Sequence, residues 1–315
     1  MIKPLLVQTG KYFIALTFLL AFAKQASAQT DADAIMIPKN YFCAGAMYGH
    51  SDWDHYWEGD FKRTNGNLGH VSTQMGSIMA NYGVTDKFNI LVNLPYVATH
   101  ASAGTLAGQH GLQDASLFLK YMPFEIPVGK GVISLYGIAG VSIPASNYQA
   151  DFLPMSIGAH SRNTMARFLV DYQRSNFFTT ASAEYIYRSN ITIDRTAYYT
   201  TEEHYTNQVD LPNVMIYNGR MGYRSESWIA EAVAENYTSL AGFDIRKNDM
   251  PFPSNKMNWT SLGVNFKYTF SKPSGLELTA GGDRVISGRN VGQSTTFHGG
   301  IYYLFSIKKQ KKEKK

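Results

Sequence analysis

The chain has one cysteine, no long apolar run and no catalytic or cofactor motif, and each absence excludes a class of protein. Cys43 is the single cysteine among 315 residues, so no intramolecular disulfide framework can form. No segment reaches the roughly 20 consecutive apolar residues that a membrane-spanning helix requires. The sequence also contains no phosphate-binding loop, dinucleotide-binding glycine motif, cysteine-pair metal site or nucleophile elbow. We therefore predict no cofactor, no metal site and no enzymatic activity.

The formal net charge of +5 does not describe the body of the chain. Six lysines and one glutamate occupy the final segment, 308–315, and three more lysines lie within the first 24 residues. Without these two ends the chain is slightly acidic, which gives no support to nucleic-acid binding. The Lys-rich end is expected to be a solvated tail, with weak association to anionic lipid or cell-wall polymer as the alternative.

The first 28 residues have the pattern of a Sec export signal. Lys3 and Lys11 supply the positive region, residues 12–23 form a short uncharged apolar stretch, and a small-x-small pattern ends at Ala28. Cleavage there would leave Gln29 as the mature N-terminus. Because the apolar stretch is too short to cross a bilayer as a helix, a mature chain of this kind spans a membrane only as a closed barrel.

Beyond residue 40 the sequence breaks into segments of about ten residues with a period of two. The clearest segment places Phe88, Ile90, Val92, Leu94 and Tyr96 on one face, with asparagine side chains on the other. This alternation indicates strands, and an aromatic content of 14% supports the same interpretation. The predicted strands are 41–51, 69–83, 88–99, 112–122, 131–143, 160–173, 177–188, 213–224, 228–238, 258–270, 276–286 and 295–307.

The connections between these strands alternate in length. Short ones are predicted at 84–87, 174–176, 225–227 and 271–275, with a slightly longer one at 123–130. Longer polar stretches separate them at 52–68, 100–111, 144–159, 189–212 and 239–257, and the last connection on that side, 287–294, is shorter. Outer-membrane barrels place short turns in the periplasm and long loops outside. The sequence therefore predicts an all-β, up-and-down antiparallel transmembrane barrel of about 12 strands, covering 29–307.

Aromatic residues collect beside the short connections, on the apolar face of the predicted strands. They are Tyr82, Phe88, Tyr121, Tyr172, Phe177, Tyr223, Trp228, Phe270 and Phe305. Rings gathered at one end of a barrel are typical of an interfacial girdle in a membrane. A secreted sandwich also alternates, but it has no need to collect its aromatic residues at one end.

The opposite face carries charged residues near the middle of several strands. A charge that points into lipid at the midplane costs roughly 2–4 kcal/mol, so these residues are expected to face the lumen. The candidate lumen-lining residues are Asp114, Lys120, Arg167, Asp171, Glu184, Arg188, Arg220, Arg224, Glu231, Glu235 and Lys267, and Glu277 and Asp283 lie on the same face.

Two interpretations of these charges are open. One is a salt-bridge lattice that stiffens a narrow lumen, which the balance of signs favours. The other is a charged constriction that selects polar or anionic solutes. The strand of Arg220 and Arg224 is expected to lie between the strands of Glu184 and Glu231, so that opposite charges meet across both strand pairs.

Two loop motifs are candidate sites. The run from Asp52 to Glu58 combines acidic and aromatic residues that suit a sugar, a cation or a metal. Neighbours on an extended segment point in opposite directions, so an aromatic rim at the outer interface is favoured over a metal site. The Glu202-Glu203-His204 run is expected to be a solvated loop. Serine, histidine and asparagine occur throughout, but no local pattern joins them into a phospholipase-type nucleophile and base.

Two consecutive segments resemble one barrel family. Residues 82–96, Tyr-Gly-Val-Thr-Asp-Lys-Phe-Asn-Ile-Leu-Val-Asn-Leu-Pro-Tyr, are similar to a hairpin of this family. Residues 111–121, which run Gly-Leu-Gln-Asp to Leu-Lys-Tyr, are similar to its next strand. The family comprises outer-membrane transporters named after the meta-pathway of phenol degradation. The resemblance covers about forty residues and implies passive transport of small hydrophobic or aromatic compounds. On its motif, Asp114 and Lys120 share the lumen face and are expected to pair with adjacent strands. The Lys-rich end departs from the aromatic finish common in barrels, so the insertion signal is expected to be internal.

The favoured function is a passive, porin-like channel or transporter for small solutes in the outer membrane of a Gram-negative bacterium. The alternative is a non-conducting structural or adhesion barrel that presents its loops to a partner. Expected partners are the outer-membrane bilayer, the barrel-assembly machinery and a small-molecule solute, and not nucleic acid.

Overall fold

The computed structural model describes residues 30–247 and 249–307. The predicted signal peptide, its cleavage site at Ala28 and Gln29, and the tail at 308–315 lie outside the described residues. Within the described part of the chain, no helix is long and apolar enough to span a membrane.

Twelve long strands form the body of the molecule. They are β1 (Tyr41–Trp53), β2 (Val71–Thr85), β3 (Phe88–Ala101), β4 (Asp114–Val128), β5 (Gly131–Pro144), β6 (Asn163–Arg174), β7 (Phe177–Arg188), β8 (Val214–Arg224), β9 (Trp228–Ser239), β10 (Asn258–Thr269), β11 (Leu276–Arg289) and β12 (Thr295–Ser306). Each pairs antiparallel with its neighbour in sequence, and β12 pairs with β1, where Leu304 lies opposite Cys43. The predicted twelve-stranded antiparallel barrel is therefore confirmed.

The β3–β4 pair is interrupted where the chain enters β4. A three-residue strand, His110–Leu112, extends β4 beyond a break at Gln113 and pairs with the far end of β3. The amide of Gln113 donates to the carbonyl oxygen of Pro95 at 2.9 Å. Because Pro95 has no N–H to return, the ladder loses a bond at this point.

One predicted connection was wrong. The 123–130 link, which contains two prolines, is mostly strand: β4 continues to Val128, and the turn to β5 is only two residues long. The register shifts between Tyr121 and Phe124, and such a bulge lets a strand continue past a residue that cannot donate to the ladder. The other short connections and the long ones lie where the sequence predicts them, within a few residues.

The outward side chains of the strands are apolar and exposed, whereas the inward side chains are largely buried. On β3, Val92 and Tyr96 are 44% and 47% exposed, whereas Asn89 and Leu91 on the alternate face are 0% and 4% exposed. At the short-turn end, aromatic rings of adjacent strands contact one another around the outside. The ring centroids of Tyr223 and Trp228 are 4.6 Å apart. This arrangement follows from the period-two pattern, which places every second side chain on the same face.

The long connections contain structure of their own. The first holds a hairpin of His55–Glu58 and Phe61–Thr64, and the fourth holds two short ladders, Ile191–Thr192 with Gln208–Val209 and Tyr198–Tyr199 with Glu203–His204. These short strands were predicted as loops. The fourth connection packs against Ala150 of the third and Phe252 of the fifth. The first hairpin is bonded to the last connection, where the amide of Trp57 donates to the carbonyl oxygen of Val291 at 2.8 Å. The long connections therefore form a cap at this end of the barrel.

Candidate functional site

The described N-terminal segment, residues 30–40, turns back into the barrel from the short-turn end. The amide of Asn40 donates to the carbonyl oxygen of Gly83 at 2.8 Å, and that of Lys39 donates to Asp86 Oδ1 at 2.9 Å. These bonds fix the segment at the rim beside β2. Further in, Ile37 is 1% exposed and packs among side chains of β1 and β12. The interior of the barrel therefore contains chain that does not belong to its wall.

Lys120 anchors the far end of this segment. Its Nζ lies 2.9 Å from Asp33 Oδ1 and donates to the carbonyl oxygens of Asp33 and Thr30 at 2.6 and 3.0 Å. The Lys120 side chain is fully buried. The hydroxyl of Tyr136 on β5 donates to the carbonyl oxygen of Ala34 at 3.0 Å. A buried ammonium requires compensating acceptors, and the segment supplies three of them.

A second cation, two strands away from Lys120, also holds the segment. Arg167 Nη2 on β6 lies 3.2 Å from Asp31 Oδ2 and 2.6 Å from Glu184 Oε2 on β7. Arg167 and Glu184 side chains are 6% and 5% exposed. The Arg167 atoms Nε and Nη1 make no hydrogen bond among the described residues. Two carboxylates therefore share one guanidinium, one from the wall and one from the segment.

Most of the other charged side chains pair along the wall of β6 to β11, although Arg188 and Asp283 form no ion pair among the described residues. Arg220 Nη1 lies 2.8 Å from Glu231 Oε1, and Arg224 Nη1 lies 3.1 Å from Asp171 Oδ2. The Arg224 guanidinium also stacks over the ring of Phe178, 4.0 Å from its centroid. The remaining partners are Asn218, which donates to Glu235 at 2.8 Å, and Glu277, whose carboxylate lies 4.0 Å from Lys267 Nζ. Opposite charges alternate along this wall, with no ring of one sign.

The long loop between β5 and β6, residues 145–162, folds inward over the half of the barrel that contains β2 and β3. Met155 is completely buried beside Leu68 and Val71, and Ile157 packs against Val97 on the inner face of β3. These contacts place apolar loop residues against the lumen side of the wall. The loop therefore fills the long-loop end above β2 and β3.

Tyr148 fixes this loop to the barrel. Its hydroxyl donates to Asp114 Oδ1 at 2.5 Å and accepts from the amide of His160 at 2.9 Å. Burial, followed by the bond to Asp114, raises the pKa of Tyr148 above its ordinary value. The phenol therefore stays protonated and remains a donor at physiological pH. Arg188 lies close enough to act electrostatically on both Tyr148 and Asp114.

The lumen contains several cavities, and three of them lie in succession. The outer cavity, about 520 Å³, lies at the long-loop end and is lined by Trp53, Trp259, Glu235 and Asp283 among others. The central cavity, about 130 Å³, is lined by Lys267, Glu231 and residues of the N-terminal segment. The inner cavity, about 450 Å³, opens among the short turns and is lined by residues that include Glu125 and Lys130.

Neighbouring cavities share parts of their walls. The outer and central cavities both contact Arg220, Asn265 and His298. The central and inner cavities both contact Ala34, Ile35 and Arg224. The outer and central cavities lie along β8 to β12, whereas the inner cavity lies beside β4 to β6 and the β8–β9 turn. The three cavities therefore form a series from one end of the barrel to the other.

The predicted charge pairing was partly wrong. Arg220 does meet Glu231, but Glu184 is occupied by Arg167, and Arg224 reaches across β7 to Asp171. Asp114 and Lys120 were expected to pair with adjacent strands. They bind instead to the 145–162 loop and to the N-terminal segment. The reason is that strand register predicts only contacts within the wall, whereas these partners are chain segments that enter the lumen.

Sequence reasoning missed Asp31, Asp33 and Tyr148 altogether. The two aspartates lie just after the predicted cleavage site, in a stretch without any period, and nothing in their local sequence indicates docking. The one signal in the sequence that indicates such a partner is the positive charge of Lys120 at the centre of a strand, since a buried cation needs an anion or other acceptor nearby.

The two loop motifs are small structural clusters. His55 Nδ1 lies 2.7 Å from Asp54 Oδ1, at the start of the first hairpin. His204 stacks on Tyr198, with ring centroids 4.8 Å apart, and its Nε2 lies 2.8 Å from the hydroxyl of Thr200. No group of three or more His, Cys, Asp or Glu side chains within the described ranges is arranged to hold a metal ion.

Several solved structures superpose on this chain. The chain superposes on an outer membrane channel from Pseudomonas putida F1 with a TM-score of 0.69 at 12% identity, covering 89% of this chain and 100% of that one. The translocator domain of the autotransporter NalP from Neisseria meningitidis gives 0.43 at 11% identity, covering 95% of each chain. The CymD monoaromatic hydrocarbon channel gives 0.39 at 12% identity, covering 87% and 90%. The first of these shows that the two chains share a fold.

No family model and no curated protein matches the sequence. The resemblance to the phenol meta-pathway family therefore stays a prediction.

Proposed function

We propose that the chain is an outer-membrane barrel through which small solutes diffuse passively. The observation that carries this proposal is the series of three cavities, which share Arg220 at one junction and Ile35 with Arg224 at the other. A narrow solute path through a closed barrel requires such a succession of spaces between the two ends. Twelve strands give a lumen between that of filled eight-stranded barrels and that of open sixteen-stranded porins.

The location follows from the outer surface. Exposed apolar side chains alternate along the strands, and an aromatic girdle surrounds the short-turn end, as bilayer contact requires. The proposal places short turns in the periplasm and long loops outside. Export through the signal at 1–28, cleavage between Ala28 and Gln29, and insertion by the barrel-assembly machinery belong to the same proposal.

The size of the central cavity supports a small solute. A cavity of about 150 Å³ in another protein accommodates benzene, and the central cavity measures about 130 Å³. Its wall combines apolar groups, such as Met47 and Ile229, with charged ones. A solute of about the size of one aromatic ring would fit it, which agrees with the hydrophobic or aromatic compounds that the family resemblance implies.

The lumen-lining charges are proposed to act mainly as a lattice. Nearly every cation lies beside an anion, as Arg220 does beside Glu231. A balanced wall creates little net field along the path, so we expect weak selection between small anions and cations. The N-terminal segment is proposed to be the narrowest element, because Ala34 and Ile35 line both the central and the inner cavity.

The path can be tested by substituted-cysteine accessibility. In a Cys43→Ala background, Thr279→Cys places a thiol on the central cavity, and Ser142→Cys places one on the inner face of β5, away from the three cavities. Each variant is reconstituted in a planar bilayer and treated with a charged methanethiosulfonate reagent. We expect the reagent to reduce the conductance of T279C and to leave that of S142C unchanged.

Two results would count against the proposal. A conducting T279C protein that reacts with the reagent but keeps its full conductance would exclude this path. Sealed bilayers in repeated trials with the untreated protein would exclude a channel and favour the adhesion barrel.

A further inference from the structure

A basic side chain faces outward among the apolar residues of the barrel surface. Arg284 lies on the outer face of β11 and is exposed. Its neighbours on that face include Ile286, 51% exposed, and Leu262 on β10, 50% exposed, which lies directly opposite in the register. Among the described residues, no carboxylate forms an ion pair with Arg284. Its charge must therefore be compensated from outside the barrel.

The position of Arg284 along the strand indicates the depth at which this occurs. It lies opposite Thr295, the first residue of β12, which in turn lies opposite Asp52, the penultimate residue of β1. An outward arginine is costly at the bilayer midplane and much less so near the interface. The guanidinium therefore suits the headgroup layer of the outer leaflet.

Arg284 is one end of a continuous polar band. The register places Arg284 opposite Thr295, Thr295 opposite Asp52, Asp52 opposite Ser72, and Ser72 opposite His100. All five side chains face outward. The band thus crosses five adjacent strands, from β11 through β12 and β1 to β3.

A second row lies one step towards the membrane. It places His50 beside Gln74, Gln74 beside Ala98, and Ala98 beside His110. The imidazole Nδ1 of His110 lies 3.0 Å from the hydroxyl of Tyr96. The two rows together contain one arginine and three histidines but a single acid, Asp52, whose carboxylate already lies 3.6 Å from His70 Nδ1.

We propose that this band binds the phosphate groups of a phosphorylated glycolipid in the outer leaflet. Arginine presents paired donors that match a phosphate, and threonine, serine, glutamine and histidine side chains beside it offer further donors. The apolar side chains below would contact the acyl chains of the same lipid. Charge complementarity and the depth of Arg284 together select a lipid headgroup rather than a soluble anion.

The proposal is tested by native mass spectrometry of the purified full chain in detergent. The probes are diphosphorylated lipid A and the same lipid with both phosphates removed. We expect wild-type protein to retain the diphosphorylated form selectively, and Arg284→Gln to reduce that retention about tenfold, which corresponds to the loss of about 1.4 kcal/mol. The combination of His50→Asn and His100→Asn is expected to weaken it further.

Two variants act as controls. Arg174→Gln removes an exposed outward arginine at the short-turn end of β6 and is expected to retain lipid A as the wild type does. Arg284→Lys keeps the charge and should restore part of the retention. Equal retention by wild type and R284Q would overturn the proposal, as would equal loss in R174Q. Displacement of the lipid by millimolar inorganic phosphate would also overturn it, because it would indicate a site for free anions. The experiment measures lipid retention and not conductance, so its result does not depend on whether the barrel acts as a channel.

Discussion

The ammonium of Lys120 lies 2.9 Å from the carboxylate of Asp33, although 87 residues separate them in the chain. The pair joins the centre of a barrel strand to a segment that precedes the first strand. It thereby holds the segment inside the lumen, where Asp33 lines the central cavity. This contact links the ion-pair lattice to the proposed control of solute passage.

Lys120→Met should release the segment. Loss of one partner from a buried ion pair costs roughly 3–5 kcal/mol, because the other charge remains without compensation. The segment can avoid that cost by leaving the lumen, where Asp33 becomes hydrated. Single-channel recording should therefore show a larger or more variable conductance than in wild-type protein.

The matched control for this change is Lys87→Met, at an exposed position in the β2–β3 turn. It should conduct as the wild type does. If K120M keeps the wild-type conductance while its barrel remains folded, the pair does not hold the segment in place.

Glu184→Gln should destabilise the barrel. The change removes the 2.6 Å charged contact with Arg167 and leaves that guanidinium with Asp31 alone. A hydrogen bond to a charged group contributes about 1.5–3 kcal/mol, so the free energy of unfolding in urea should fall by about that amount. Glu125→Gln, at the exposed inner mouth, should have no measurable effect. An unchanged unfolding midpoint in E184Q would show that Asp31 compensates fully.

Tyr148→Phe should loosen the 145–162 loop. The substitution keeps the ring but removes the donor to Asp114 and the acceptor for the His160 amide, at an expected cost of about 1–3 kcal/mol. Limited proteolysis of the intact protein should cut within this loop faster than in the wild type. Tyr205→Phe, in a side chain that is 86% exposed, is the control and should not alter the cleavage rate. Equal cleavage of Y148F and wild type would indicate that apolar packing alone holds the loop.

The cap formed by the long loops should persist in mild acid. Hydrogen bonding to Arg289, aided by Asn290, lowers the pKa of Asp244 below its ordinary value. The ionised Asp244 carboxylate therefore stabilises the cap fully above the ordinary aspartate pKa. This stabilisation is lost only as the pH falls through the lowered pKa of Asp244 in the folded protein. The hydrogen-exchange protection of 240–247 and 249–257, measured relative to the intrinsic exchange rate at each pH, should be insensitive to this group at neutral and mildly acidic pH and should fall at lower pH.

Asp244→Asn provides the comparison for that measurement. It should exchange faster than wild type at neutral pH, and the difference should shrink in strong acid. Identical exchange of the two proteins at every pH would show that Asp244 does not stabilise the cap.

The wall of the barrel could be predicted from the sequence because its pattern is local. Phe88 to Tyr96 alternate strictly, and a period of two fixes which side chains face outward without any knowledge of the partner strands. The alternation of short and long connections then fixed the topology. The 123–130 region misled the prediction because Pro123 and Pro127 are typical of loops, whereas a bulge and a strand end accommodate both.

The contents of the lumen could not be predicted in the same way. Ile37 and Asp33 occupy a stretch with no period, and their burial depends on a wall that forms far away in sequence. Tyr148 lies in a long polar connection whose composition is typical of a solvated loop. The charges of the wall were assigned to the correct face, but their partners depend on these inward segments, which local sequence does not reveal.

The central claim is that solutes cross this barrel along a path that the N-terminal segment narrows. Its most direct test is the single-channel conductance of the chain lacking residues 30–37, refolded beside the unaltered protein and checked for a folded barrel by heat-modifiable electrophoretic mobility. We expect that both proteins conduct and that the shortened one has the larger unitary conductance. Equal conductances would show that the segment does not narrow the path, and a folded barrel that never conducts in either form would contradict the claim itself.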